Sequence, residues 1–273
     1  MTIWNHALIT GAGSGLGLGL AVRLLRRGAR VSVLDLSLGD AARAELDAAT
    51  RTSGQWRFHA ADVTDEAGVR AAVQAAVSRA GHPDLVVHGA GILINRAIVD
   101  TSVDAFRRVV DVNLNGSFIV SHAVLPHMQP GSRLALIASM AGLTSNYGYA
   151  AYGASKFGVV GLAHTLRYEH EPLGIGISCI CPPEVKTPMV KQERSPGNFN
   201  AISLALKEQA GSMDPDAAID AILAGLDAGR WMVIPSRRAW WLAATARLLP
   251  RVFFGVTLQL IRQQMRRHGL RPH

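Results

Sequence analysis

The chain has 273 residues, of which 49% are hydrophobic and 18% charged, and it carries a net charge of +8. That composition supports a large apolar core and excludes a disordered polyelectrolyte, and an α/β chain of this length suits a single domain. The charge is local: nine arginines and no acid or lysine lie between Arg230 and His273, so the remainder sums to about −1 (8 − 9), and a basic tail of this kind does not make the whole chain a nucleic-acid binder.

Taken in chain order, His6 to Thr10 predicts a first strand, and a glycine-rich turn leads from it into a helix over Leu16 to Arg27, closed by Gly28. A second strand follows at Arg30 to Leu34, a helix at Asp40 to Thr50, a third strand at Trp56 to Ala60 and an alanine-rich helix at Glu66 to Arg79. Asp84 to His88 reads as a fourth strand, Val103 to Met128 as one long helical stretch and Arg133 to Ala138 as a fifth strand. The pattern closes with a helix from Tyr152 to Glu171, a strand from Gly174 to Cys181, a helix over Pro215 to Ala228 and a last strand at Trp231 to Pro235. Short apolar strands alternating with helices predict an α/β fold built on a mainly parallel, doubly wound sheet. Neither a repeat nor a long linker divides it. The expected organisation is a catalytic unit over residues 1–236 and a helical, arginine-rich extension over 237–273.

Cys179 and Cys181 stand two apart in a strand-like run, so their side chains share a face and are badly placed to bond to each other. They read as reduced, buried thiols, and the expected location is the cytoplasm. Met1 to Thr10 runs straight into the glycine turn and leaves no room for a signal peptide. No apolar run reaches the ~18 residues of a membrane span, and no metal site is expected.

The run Thr10-Gly11-Ala12-Gly13-Ser14-Gly15-Leu16-Gly17 connects the first strand to the first helix. Glycine lets backbone turn tightly and approach a pyrophosphate, which the helix N-terminus meets with unpaired N–H groups. Gly11, Ser14, Gly15, Leu16 and Gly17 are therefore candidate dinucleotide contacts. Asp35, ending the second strand, can accept hydrogen bonds from the adenosine ribose and would repel a 2′-phosphate. Neither Ser14 nor Leu36 is basic, so NAD is expected over NADP. Asp62, with Val63 beside it, is placed to meet the adenine; capping of the next helix is the competing reading.

Tyr152 and Lys156 stand four apart on a helix and share a face. An ammonium beside a phenol favours the phenolate and is expected to lower its pKa from about 10, suiting the tyrosine to proton transfer. Tyr147 and Tyr149 lack a lysine four residues on. Ser139, just after the fifth strand, is placed at the carboxyl edge of the sheet, where its hydroxyl can hold a substrate oxygen.

The combination of Thr-Gly-x-x-x-Gly-x-Gly, a serine ahead of the tyrosine and Tyr-x-x-x-Lys resembles the short-chain dehydrogenase/reductase family, from about Leu8 to Met189. The resemblance implies a Rossmann-type fold and a homo-oligomer, either dimer or tetramer. It implies that Asn113 is a fourth catalytic residue holding a water that links Lys156 to solvent. It further implies that Lys156 binds the nicotinamide ribose, that Val185 and Thr187 meet the carboxamide, and that Ala90 and Pro182 contribute backbone contacts. Two positions depart from the family. His88-Gly89-Ala90-Gly91 replaces Asn-Asn-Ala-Gly, and Pro182-Pro183 replaces Pro-Gly, which should stiffen that loop. The segment Cys181 to Pro188, the Ala154 to Phe157 run and the tail also resemble 3-ketodihydrosphingosine reductases and related lipid-active members, which implies NADPH, against the reading of Asp35.

These residues predict an alcohol dehydrogenase or ketoreductase acting on a hydrophobic secondary alcohol or its ketone. Met140, Ala141, Gly142 and Leu143 are expected to shape the pocket, and Val190 to Leu206, with Gly197 and two asparagines, reads as a mobile lid. The rival from another class is a nucleotide-sensing or membrane-surface scaffold without turnover. In the tail, Pro250 should separate two helices. A helical period then sets Arg251, Arg262 and Arg266 opposite Phe253, Val256 and Leu260. This pattern suits either peripheral contact with a membrane or packing over an apolar pocket or a sister subunit.

Overall fold

Seven of the apolar runs become parallel strands: β1 (His6–Thr10), β2 (Arg30–Asp35), β3 (Trp56–Ala60), β4 (Leu85–His88), β5 (Arg133–Ile137), β6 (Gly176–Ile180) and β7 (Met232–Val233). The computed structural model describes residues 4–195, 200–267 and 269. The strands lie in the order β3-β2-β1-β4-β5-β6-β7, and every ladder is parallel. The chain winds outward from β1 in one direction and then from β4 in the other. This leaves a crevice outside the carboxyl ends of those two strands, where Thr10 and His88 are paired.

The alternation of side chains along each strand makes two cores. Ala7, Ile9, Val31, Val33, Ala135 and Ile137 pack under α1 (Gly15–Arg26), α2 (Asp40–Ala49) and α9 (Pro215–Asp227). Leu8, Leu34, Val86, Leu134, Leu136 and Ile177 pack under α3 (Glu66–Ala80), α5 (Gly116–Val124) and α6 (Ala150–His170). Helix starts follow local chemistry: the Asp65 side chain accepts from Ala67 N at α3, and Asp214 accepts from Asp216 N, with Pro215 just inside α9. Asp62 therefore does not cap the following helix. Cys179 and Cys181 are both free and buried on one face of the sheet, with their sulfurs 3.8 Å apart.

The structure gives three expectations a different form or more detail. The single helix expected over Val103 to Met128 is broken into α4 (Val103–Val110), a π-helical turn (Asp111–Asn115) and α5. Ser117 Oγ donates to Asn113 O at 2.5 Å, and Ser121 Oγ to Ser117 O at 2.7 Å; such back-bonding hydroxyls bend helices. The described residues of the segment expected as a lid lie mostly in α7 (Pro188–Glu193) and α8 (Ala201–Ala210), while Gly197 and Asn198 lie outside the described residues. The tail does form two helices, α10 (Arg237–Leu248) and α11 (Pro250–Arg267), but Val256 does not share a buried face with Phe253 and Leu260. It is exposed, and Thr257 takes its place on the inner face. Arg271 lies outside the described residues.

Candidate active site

The glycine turn is shaped by close backbone approach. Gly11 has φ +68°, and a Cβ there would lie 2.5 Å from Ala90 N; at Gly17 it would lie 2.2 Å from Gly11 O. These contacts draw the loop, the start of α1 and the strand-end segment after β4 into one shallow cradle. The first turn of α1 contains no acid, and Ser14 makes no side-chain cap bond there, so the helix presents its N–H groups outward. Asp35 braces the same loop: Oδ2 accepts from Gly13 N at 2.7 Å and Oδ1 from Leu36 N at 2.8 Å. Asp62 closes a local turn by accepting from Thr64 N and Thr64 Oγ1 at 2.9 and 2.7 Å, and these bonds hold its carboxyl below the ordinary value. A cradle that only glycine can line, facing an exposed helix start, fits a pyrophosphate.

A cavity of about 1320 Å³ runs from this cradle across the sheet edge. Drug-sized ligand pockets measure roughly 300–1,000 Å³, so this one has room for a dinucleotide and a second molecule. Gly11, Ser14, Gly15, Leu16, Gly17, Asp35, Asp62, Val63 and Ala90 line one part of it. Ser139, Tyr152, Lys156, Pro182, Val185 and Thr187 line the rest of the expected set. Asn113 does not reach the cavity. It is fully buried behind the wall, where Oδ1 accepts from Ile92 N at 2.8 Å and Nδ2 donates to Ile92 O and Ser155 Oγ at 3.0 Å each. A Cβ on Gly91 would lie 3.1 Å from Asn113 Oδ1 and 3.6 Å from Lys156 Nζ, so glycine here keeps the space between the two side chains uncrowded. Met140 and Ala141 line the cavity as expected, but Gly142 and Leu143 do not. Gly142 is pressed against α6, where a Cβ would meet Lys156 O at 2.6 Å, and Leu143 packs on the core.

Helix α6 carries the tyrosine and the lysine on its buried face. Tyr152 and Ser139 line the same wall of the cavity, and Lys156 Nζ lies 5.8 Å from the Tyr152 ring centre while donating to Ile137 O at 2.8 Å. The expected depression of the phenol by the lysine is not what this arrangement produces. Burial pushes Tyr152 up to about 12, against the lowering influence of the Ser139 hydroxyl, and burial pushes Lys156 down to about 8. Both groups are thus biased toward their neutral forms, so Tyr152 holds its proton. Tyr149 is committed elsewhere: its hydroxyl donates to Glu193 Oε1 at 2.7 Å, and burial together with the adjacent Glu193 carboxylate pushes its pKa up.

Two features were not read from the sequence. His88 is fully buried with Nδ1 2.7 Å from Thr10 Oγ1, and burial holds it down to about 3, hence neutral. Behind Tyr149, the buried Glu193 accepts from Asn95 Nδ2 at 2.7 Å and pairs with Lys207, which also lies 2.6 Å from Glu184; Arg194 bonds Glu184 at 2.8 Å. This cluster fastens α7 and α8 to the body beside the cavity. The roof is also supplied by the tail, through Arg238, Trp241, Leu242, Thr245, Phe253, Thr257 and Leu260.

A model of the short chain dehydrogenase family matches residues 5–197. The chain is 34% identical over 236 residues to a 3-dehydrosphinganine reductase of Arabidopsis thaliana, covering 84% of this chain and 69% of the relative. It is 40% identical over 190 residues to a trans-4-hydroxycyclohexanecarboxylate dehydrogenase of Sinomonas cyclohexanicum, covering 67% and 73%. Among solved structures, levodione reductase superposes with a TM-score of 0.75 at 31% identity, over 84% of this chain and 95% of that one. A family match over most of the sequence, carried on a sheet of the same architecture, settles the kinship: the chain belongs to the short-chain dehydrogenase family.

Proposed function

We propose that this oxidoreductase interconverts a hydrophobic secondary alcohol and its ketone with NAD(H), using residues 1–236 as the catalytic unit. The observation that carries the reading is Tyr152, with the Lys156 side chain beside its ring and Ser139 on the same wall, in a cavity with a glycine cradle at one part. A bound nicotinamide dinucleotide supplies or accepts the hydride. In the reducing direction the carbonyl oxygen is held by the Ser139 and Tyr152 hydroxyls, and the Tyr152 proton passes to it as the C=O bond becomes C–OH. Lys156 orients the ribose, and Asn113, across the space kept open by Gly91, supports proton resupply to Lys156. Asp35 accepts from the adenosine ribose, with no cation at Ser14 or Leu36 to receive a 2′-phosphate. Asp62, Val63, Ala90, Pro182, Val185 and Thr187 complete the cofactor contacts.

The apolar lining of Met140, Ala141, Val190, Leu206, Phe253 and Leu260 favours a greasy substrate. Self-association is part of the reading: α5 and α6 leave Phe118 and Phe157 57% and 47% exposed, and a Cβ on Gly161, one turn on from Phe157, would meet open space. Peripheral membrane contact through the tail is the other part, while the bulk of the fold stays in the cytoplasm.

A second reading, an NADPH-dependent ketosphingoid reductase, is favoured by the 34% identity to the Arabidopsis enzyme. A non-catalytic nucleotide sensor would not need the intact Ser139, Tyr152 and Lys156. Absorbance at the nicotinamide band separates the three, given NAD+ and NADP+ in turn with a panel of apolar secondary alcohols. Turnover with NAD+ that falls about 10³-fold in Tyr152→Phe is the expected result. Turnover with NADP+ alone selects the second reading, and cofactor binding without turnover on any alcohol or ketone selects the third.

A further inference from the structure

The tail helices have two apolar faces, and only one of them is used by the fold. On α11, Phe253, Thr257 and Leu260 line the cavity, and Gln264 continues that face into the protein. The opposite face carries Arg251, Phe254, Leu258 and Arg262 at spacings of three, four and four, all exposed. Of the eighteen large apolar side chains left exposed among the described residues, nine lie between Trp240 and Leu258. Trp240 is 50% exposed, Phe254 56% and Leu258 47%, and none of the three lines the cavity. Patches of this kind mark interaction surfaces.

Charge selects the occupant. The stretch from Arg230 to His273 has nine arginines and no acid, so two copies of this face would set arginine against arginine with no carboxylate between them. Nucleic acid offers phosphates but no apolar layer for Trp240, Phe254 and Leu258. An anionic bilayer offers both in the required order: headgroups for the arginines and acyl chains beneath for the aromatic and leucine side chains. No helix among the described residues is long and apolar enough to cross a membrane, so the contact is interfacial.

We infer that α10 and α11 dock their outer face on an anionic bilayer, and that the same two helices, whose inner face roofs the cavity, deliver a membrane-dissolved alcohol or ketone to Tyr152. The delivery rests on the oxidoreductase reading; the docking does not.

The test uses the full chain with phosphatidylcholine vesicles, with and without phosphatidylglycerol. Co-sedimentation with the anionic vesicles alone is expected, with a blue shift of tryptophan emission. Combining Trp240→Ser, Phe254→Ser and Leu258→Ser should weaken partition about tenfold or more while cyclohexanol turnover in solution is unchanged. Arg251→Glu with Arg262→Glu should abolish it with the apolar face intact. Equal binding to neutral vesicles overturns the proposal. So does absence of vesicle binding together with a smaller oligomer in the triple serine variant, which would make the face a subunit contact. Anionic-vesicle binding by a chain that oxidises no alcohol sustains the docking and overturns only the reading of the cavity.

Discussion

The floor and the roof of the cavity are built on opposite principles. The floor is the carboxyl edge of the sheet, where the backbone of the glycine turn is packed so closely that a single added carbon at Gly17 would fall 2.2 Å from Gly11 O. Its polar groups are held by the chain itself: Asp35 by Gly13 N, Lys156 by Ile137 O, and Ser139 by Ala141 N. The roof is two helices at the end of the chain, where Trp241 is 63% exposed even though it lines the cavity. Atoms that must meet within tenths of an ångström are placed by the most over-determined part of the fold. The bulk of a substrate is met by a part that can change without disturbing them.

The contrast is open to direct attack. Gly17→Ala should strike hardest. Overpacking at the turn should cost about 2–3 kcal/mol of stability and weaken NAD binding about a hundredfold, read by denaturant unfolding and cofactor fluorescence; unchanged binding would break the idea of a rigid floor. Asp35→Ser should raise the KM for NAD about thirtyfold, the loss of a charged hydrogen-bond acceptor, and narrow the gap to NADP; equal effects on both cofactors would remove Asp35 from the ribose site. On the roof, Leu260→Ala should raise KM for bulky apolar alcohols about tenfold while kcat for cyclohexanol changes little. A matching loss of kcat would mean that the roof positions reacting atoms after all.

The last test reads a slope. His88 is neutral in the fold because burial holds it down to about 3, below its ordinary 6.5. The unfolded chain therefore binds the extra proton first, and stability present above pH 6.5 is lost progressively as pH falls toward 3. His88→Asn should flatten that part of a Tm-against-pH profile; an unchanged profile would place the acid sensitivity elsewhere.

The sequence disclosed what local pattern encodes. Seven strand positions, the glycine turn and the Tyr152–Lys156 pair each sit within a few residues, and periodicity and spacing suffice to find them. It disclosed less where the deciding partner is distant. The π-helical turn that buries Asn113 reads as plain helix until Ser117 and Ser121 are seen to bond back along it. Asn95, Tyr149, Glu184, Glu193 and Lys207 carry no signal of their own, because only the topology brings them together. The lysine beside Tyr152 is visible in the sequence, but the sign of its effect is not, since that depends on how deeply both groups are buried.

That distant cluster bears on how such a chain can diverge. Glu184 and Glu193 are answered by Lys207 and Arg194, two negative groups by two positive ones, and Tyr149 and Asn95 join them to the body. A change at any one of these positions strands a charge beside α6 and invites a second change to repair it, so the group should be inherited as a block. Val190 and Leu206 stand on the same two short helices but face the cavity and take no part in the cluster. They can change without stranding a charge, much as the teeth of a key can be recut while its shank still fits the lock.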